Sequence, residues 1–221
     1  MTRRVSTVAL LLAVAAAAAG AQQQREHLRL FPPADLGLLE APDRDVWQRP
    51  EQIMDALRIA DGSVVADLGA GSGWFTIRLA NRVGPNGKVY AEDIQREMVQ
   101  ALNVRVQREG LKNVQTVHGE ASDPKLPREA LDAVLIVDAY HEMRDPVLLL
   151  RHVAASLKPT GVVGIVEHTK NGFGPGPPMD DRVDPERVIH DAAAAGLRLQ
   201  ARPEILPYQY LLIFEKAPRS G

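Results

Sequence analysis

The sequence has no cysteine. Disulfides, thiolate metal sites, a cysteine nucleophile and a lipoprotein anchor are thereby excluded, although that absence names no compartment. A long basic run is missing as well, and the formal net charge is −2, so nothing advertises a nucleic-acid partner. No apolar stretch approaches the ~20 residues that a membrane helix needs. The longest candidate runs only from Val8 to Ala19. No repeat or low-complexity stretch occurs beyond the leader. What remains is ordinary globular material: 221 residues, 45% hydrophobic and 24% charged. That length suits one domain of about 200 residues plus an appendage, with core enough to need no staples.

The amino end carries an address. Arg3 and Arg4 precede the apolar run, and Ala19-Gly20-Ala21 offers small residues for cleavage. This order predicts a secretory signal peptide over residues 1–21. The expectation is an exported protein, periplasmic or secreted, with no stable membrane anchor after cleavage; a non-functional leader would leave it in the cytoplasm. Twin-arginine export fits poorly, because Ser6 and Thr7 stand where that motif prefers apolar residues. Residues 22–49 read as a polar, irregular arm that can fold over a site, with Pro32-Pro33 discouraging helix. Arg44, Trp47 and Gln48 are its contact candidates, and Trp47 suits a packing anchor as well as a pocket wall. The domain itself is expected over residues 50–221.

Pro50 fits the first turn of a helix carrying Ile53, Met54, Leu57 and Ile59. Strand and helix patterns then alternate. Strands are predicted at 64–68, 88–93, 114–118, 133–137 and 162–166, with helices at 74–83, 97–109 and 146–157. Asp184-Pro185 reads as a cap and first-turn proline for a further helix that Gly196 closes. Strands at 197–201 and 210–214 end the chain, too close together for a helical crossover. Continuous apolar strands joined by helices point to an α/β, doubly wound, Rossmann-like fold. Its mostly parallel sheet should have seven strands, with an antiparallel strand at the carboxyl end.

The strongest signal is the turn after the first strand, Asp67-Leu68-Gly69-Ala70-Gly71-Ser72-Gly73. Three glycines permit a tight bend and let a ligand lie on bare backbone, and the following helix aims free N–H groups at it. Asp93, at the end of the next strand, stands where a ribose would need an acceptor. A nicotinamide enzyme uses similar logic, but its sixth motif position needs glycine, and here that position is Trp74. Asp67 beside the turn repels a diphosphate and suits an ammonium. S-adenosylmethionine (SAM) has an ammonium, a sulfonium and no phosphate. The bland alternatives are a glycine turn of purely local purpose, Asp93 as a helix cap, and Asp67 as a solvated carboxylate.

Residues 65–73 resemble the first motif of class I SAM-dependent methyltransferases, and Val89-Tyr90-Ala91-Glu92-Asp93 is similar to their second strand. Gly119-Glu120-Ala121 resembles the family's adenine-holding turn, with Glu120 replacing the commoner aspartate. Leu157-Lys158-Pro159-Thr160-Gly161 resembles its lysine-proline-glycine-glycine turn, with Thr160 replacing one glycine. The likeness is nearest to small bacterial methyltransferases of ubiquinone and menaquinone biosynthesis, and it spans roughly residues 50–216. It implies SAM as cofactor, held by Asp67, Gly69, Ala70, Gly71, Gly73, Asp93, Ile94, Glu120, Ala121 and Asp138. It also implies methyl transfer to a small-molecule acceptor. A non-catalytic SAM-binding protein and a nicotinamide-dependent reductase are the other readings. Glu120 could equally be an exposed loop acid.

Acceptor chemistry belongs beyond the carboxyl ends of the strands. Asp138-Ala139-Tyr140-His141-Glu142 follows the fourth strand, and Glu167-His168 closes the fifth. His141 titrates near neutrality and is the candidate general base, Tyr140 a candidate pocket wall, and Asp138 a contact for the methionine end of the cofactor. His141 could instead only hydrogen-bond within its loop. A metal site built from His141, Glu142, Glu167 and His168 has no close-spaced ligand motif behind it, so no metal is expected. The loop at 169–183, rich in glycine and proline, and the arm are the pieces able to cover the acceptor.

Overall fold

The computed structural model describes residues 30–172 and 174–218. The predicted signal peptide and its cleavage point lie outside them. Contacts divide the chain between Asp35 and Leu36. Ahead of that division, the described residues make a bend and the opening of a 3-10 segment, Pro33–Glu40, with Asp35 N donating to Pro32 O at 2.9 Å.

From Leu36 onward the arm is less irregular than expected. It continues the 3-10 segment and then forms a short helix, α1 (Arg44–Gln48). Arg49, in the left-handed region at φ 48°, breaks this helix from α2 (Pro50–Ala56), which starts on the expected proline. Strands β1 (Val64–Leu68), β2 (Lys88–Asp93), β3 (Val114–His118), β4 (Leu131–Val137), β5 (Leu157–His168), β6 (Leu197–Ala201) and β7 (Gln209–Lys216) follow. Between them lie α3 (Trp74–Val83), α4 (Arg96–Arg108), α5 (Pro146–Ser156) and α6 (Pro185–Ala194). One sheet holds all seven strands in the order β3-β2-β1-β4-β5-β7-β6. Only β7 is reversed, pairing antiparallel with both β5 and β6, as the short final connection requires.

Strand alternation sorts the core onto two faces. Ala66, Leu68, Val134, Ile136, Val163, Ile165, Leu212 and Phe214 pack on the α5–α6 side with Leu150, Val153 and Val188. Val65, Val89, Leu135, Val166, Leu211 and Ile213 pack on the α2–α3 side with Ile53, Met54, Phe75 and Leu79. Each such fully buried aliphatic chain contributes roughly 1.5–3 kcal/mol of transfer free energy. The same alternation decides which polar residues at the strand ends share a face. Asp67, Asp93, His168 and Gln209 continue the α2–α3 side, whereas Glu92 and Glu167 continue the other.

Two local expectations are corrected. The Leu157–Gly161 stretch belongs to β5, where pairing jumps from Leu131↔Leu157 to Ala133↔Val162 across a bulge. Gly161 is retained because a Cβ there would stand 2.6 Å from the Leu131 carbonyl oxygen, while Thr160 is exposed and tolerates substitution of the family's glycine. Asp184 occupies the cap position before Pro185, but its side chain does not cap α6 and instead pairs with Lys170 Nζ at 3.0 Å. By contrast, Asp145 caps α5 through Leu148 N at 3.0 Å.

Candidate active site

β1 and β4 are neighbours at the centre of the sheet, and their connections leave in opposite directions, so a crevice opens at their carboxyl ends. The glycine turn lies there. Gly69, Gly71 and Gly73 adopt φ of 72°, 52° and 82°. Side chains disfavour that region, and at Gly69 a Cβ would stand 2.6 Å from the Cβ of Ala139, the residue after Asp138. The turn is fastened to β2: Ala70 N donates to Glu92 O at 2.8 Å and Gly71 N to Asp93 Oδ2 at 3.0 Å. Gly73 begins α3 without a side-chain cap.

Asp67 is 3% exposed, and Thr76 Oγ1 donates to its Oδ2 at 2.6 Å. Burial pushes its pKa up to about 6, against the Thr76 hydrogen bond and the charge of Arg44, which hold it down. An acid this deep at a strand end is no solvated carboxylate. Arg44 comes from α1. Its guanidinium lies 4.3 Å from the Trp74 ring centroid, donates to Leu39 O at 2.7 Å, and stands in the field of Asp138, Asp67 and Glu40. α1 therefore places a half-buried cation beside the buried acid.

Asp93 both receives the turn and opens the next element, since Gln95 N donates to its Oδ1 at 2.8 Å. Each carboxylate oxygen retains a lone pair for a further donor. Ile94 beside it is 36% exposed. Glu120 lies in a surface loop. Its backbone bridges Asp123, and its exposed carboxylate pairs with Lys125 Nζ at 2.7 Å, which is the loop-acid arrangement. Ala121 follows in the same exposed loop.

Beyond β4 and β5, two histidines form separate pairs. His141 Nδ1 lies 3.0 Å from Glu167 Oε2, and His141 N donates to Glu167 Oε1 at 3.2 Å. Burial lowers the His141 pKa, but the hydrogen bond and charge of Glu167 prevail and raise it to about 9. His168 Nε2 lies 3.3 Å from Asp138 Oδ1 and 3.2 Å from Gln209 Nε2. Asp138, at φ 52°, turns its carboxylate to Gln209 Nε2, which donates to both oxygens at 2.8 and 2.9 Å. Tyr140 is corrected outright. It is 3% exposed in the α5–α6 core, and its hydroxyl donates to Asp191 Oδ2 at 2.8 Å, so it does not wall an acceptor pocket. Among the described residues, no group of three or more His, Asp or Glu is placed to hold a metal ion.

Residues 65–161 match the family model described as a methyltransferase domain. A solved SAM-dependent methyltransferase from Aquifex aeolicus superimposes with a TM-score of 0.79 at 28% identity, covering 84% of this chain and 98% of that one. Over this span the chain is similar to SAM-dependent methyltransferases in sequence and in fold. The demethylmenaquinone methyltransferase of Geobacillus stearothermophilus is 30% identical over 121 residues, 55% of this chain and 51% of that protein. The chain thus spans about half the length of the curated relatives it matches. A type 11 methyltransferase structure from Sulfolobus solfataricus, at 24% identity and a TM-score of 0.64, shares the fold over 79% of this chain and 95% of its own. The donors present suit SAM: a buried acid for its ammonium, a cation for its carboxylate, and an acid across the turn for ribose hydroxyls.

Sequence reading missed Glu92 and Gln209. Glu92 is 1% exposed on the strand face opposite Asp93, and its Oε1 has no partner. Burial, with the charge of Asp93 added, pushes it from an ordinary 4.5 up to about 8. The usable signal was a second acid in a strand buried on both faces. For Gln209 it was a polar residue opening an apolar run. Because Glu92 holds its proton more tightly when folded, its stabilising contribution is full below pH 4.5 and is lost as pH rises through about 8. Glu92→Gln is therefore expected to flatten the fall in urea-denaturation midpoint between pH 5 and pH 8.5, an effect on the order of a few kcal/mol. Parallel midpoint curves for the two proteins would exclude a neutral Glu92 in the fold.

Proposed function

We propose that this protein transfers a methyl group from SAM to a small-molecule acceptor. The observation that carries the reading is Asp67, a buried carboxylate at the end of the central strand beside a turn of bare backbone. Asp67 would hold the ammonium of the cofactor's methionine end and Arg44 its carboxylate. Gly69, Ala70, Gly71 and Gly73 would offer backbone for close approach, Asp93 would accept from the ribose hydroxyls, and the half-exposed Ile94 side chain would lie at the adenine rim. When bound, SAM supplies an electrophilic methyl group on its sulfonium.

The residues beyond β4 and β5 would align the acceptor and exclude water. The His141–Glu167 pair holds Nδ1 of the imidazole against the carboxylate, so Nε2 is the nitrogen that can take a proton from an acceptor. The curated relatives named as demethylmenaquinone methyltransferases support a small acceptor. Calorimetry is expected to show micromolar-range SAM binding, with no quenching or enhancement of NADH fluorescence on titration. Binding of NADH but not SAM would overturn the reading. SAM binding without radiolabelled methyl transfer to any of a broad acceptor panel would instead favour a non-catalytic SAM-binding protein.

We also propose that residues 1–21 direct export. Sequencing of the mature protein is then expected to begin near Gln22, and an intact Met1 would contradict it.

A further inference from the structure

Glu92 neighbours Asp93 in β2 but lies on its other face, level with Leu68 of β1 and Val117 of β3. Its main chain and its side chain both reach the glycine turn. Glu92 O accepts from Ala70 N at 2.8 Å, and Gly69 N donates to Oε2 at a long 3.4 Å. The other oxygen, Oε1, is buried away from solvent and has no hydrogen-bond partner. Burying a carboxyl oxygen in this way carries a cost. The position is explained by what the side chain holds apart.

The far side of the wedge is Gly119, the first residue after β3. A Cβ there would overlap Glu92 Oε1 and stand 2.8 Å from its Cδ. Gly119 has no positive φ, so its backbone would accept any residue; the nearest atoms that forbid a side chain all belong to Glu92. One buried side chain therefore fills the space between the turn after β1 and the turn after β3. Asp93 is tied to the same two turns. Its Oδ2 accepts from Gly71 N at 3.0 Å, and its carbonyl oxygen accepts from Gly119 N at 3.1 Å.

We propose that Glu92 is a positioning residue for the nucleoside end of the cofactor: wedged between Gly69 and Gly119, it sets the gap between the two turns that flank Asp93, without touching the ligand. This rests on the SAM reading and assigns a new role within that same site. The side chain acts by its volume and by its tie to Gly69 N. Glutamine keeps both, because its carbonyl oxygen still accepts from that N–H. Alanine keeps neither, and the turns lose the spacer between them. Ligand hydrogen bonds tolerate a displacement of only about 0.5 Å, so a relaxed Gly119 turn reaches the affinity.

The test measures Kd by calorimetry on the full chain for two probes, S-adenosylhomocysteine and methylthioadenosine, the second of which lacks the amino-acid end. Glu92→Ala is expected to weaken both by the same factor, about tenfold, the effect of one ligand hydrogen bond made poorly. Glu92→Gln is expected to stay within about threefold of the wild type for both. Asp67→Asn, by contrast, should lose S-adenosylhomocysteine and keep methylthioadenosine, which separates the two ends of the ligand. Gly119→Ala is expected to weaken both probes by itself. Combined with Glu92→Ala, it is expected to bind them better than either single variant, because the added methyl enters the vacated space. A general loss of structure would not produce that recovery. Undiminished binding of methylthioadenosine by Glu92→Ala, or losses that merely add in the double variant, would overturn the proposal. Should Glu92→Ala not fold, Gly119→Ala decides alone, and wild-type affinity in that variant overturns it. Failure of the wild type to bind either probe would strike the SAM reading, and this assignment with it.

Discussion

Asp67→Asn is expected to weaken SAM binding by about 10²–10³-fold, because it leaves the ammonium of the cofactor's methionine end beside a neutral amide in a buried site. Breaking a buried charge pair by removing one partner costs about 3–5 kcal/mol, and each 1.4 kcal/mol is tenfold in affinity. Asparagine keeps an oxygen to accept from Thr76 Oγ1, so the strand end should hold its shape. Stability is expected to move the other way. Asp67 has its pKa raised to about 6 by burial, so its contribution to folding is full below the unfolded value and is lost as pH rises through about 6. At pH 7.5 the variant should melt no lower than the wild type while binding far less SAM. In the wild type, affinity is expected to decline as pH falls through about 6 and the carboxylate takes up a proton. Calorimetry at pH 5, 6 and 7.5, with a melting curve for each protein, reads all of this. An unchanged Kd in Asp67→Asn would remove the cofactor assignment at that residue.

His141→Asn is expected to lower kcat by about 10²–10⁴-fold with SAM binding retained, which is the range for a positioned general base. The pH profile separates chemistry from packing. Glu167 raises His141 to about 9, so near neutrality the imidazole is largely protonated and cannot accept a proton. Wild-type kcat should therefore climb with pH toward about 9, and the apparent midpoint belongs to the His141–Glu167 pair rather than to either group. The residual activity of His141→Asn should be flat over the same interval. A flat wild-type profile, with full activity in the variant, would mean that alignment alone suffices and that His141 serves only its loop.

Much of this site was legible along the chain because its parts are local. The glycines at 69, 71 and 73 and the acid at 67 lie within one turn, and the conformation each glycine needs follows from short-range sterics. Asp93 was legible for a related reason, since a parallel neighbour ends at the same level as β1. Tyr140 was misread because the residues following β4 look equally exposed in sequence. A 3-10 turn at Tyr140–Glu142 sends the tyrosine into the core and leaves the histidine at the strand ends. Glu120 stood open between two readings, and its ion pair with Lys125 is the arrangement of a loop acid.

Sequence by itself determined the strands, the antiparallel finish, the glycine turn and the acid beside it, since all of these depend on periodicity and neighbours a few residues apart. Tertiary structure alone decided the pairings. Gln48 meets Gln209 across 161 positions, Gln209 meets Asp138 across 71, and His141 meets Glu167 across 26. Those distances close only when β4, β5 and β7 lie side by side and α1 packs against their face. The physical reason is that strand alternation assigns a face to each residue, but the order of strands in the sheet assigns its partners.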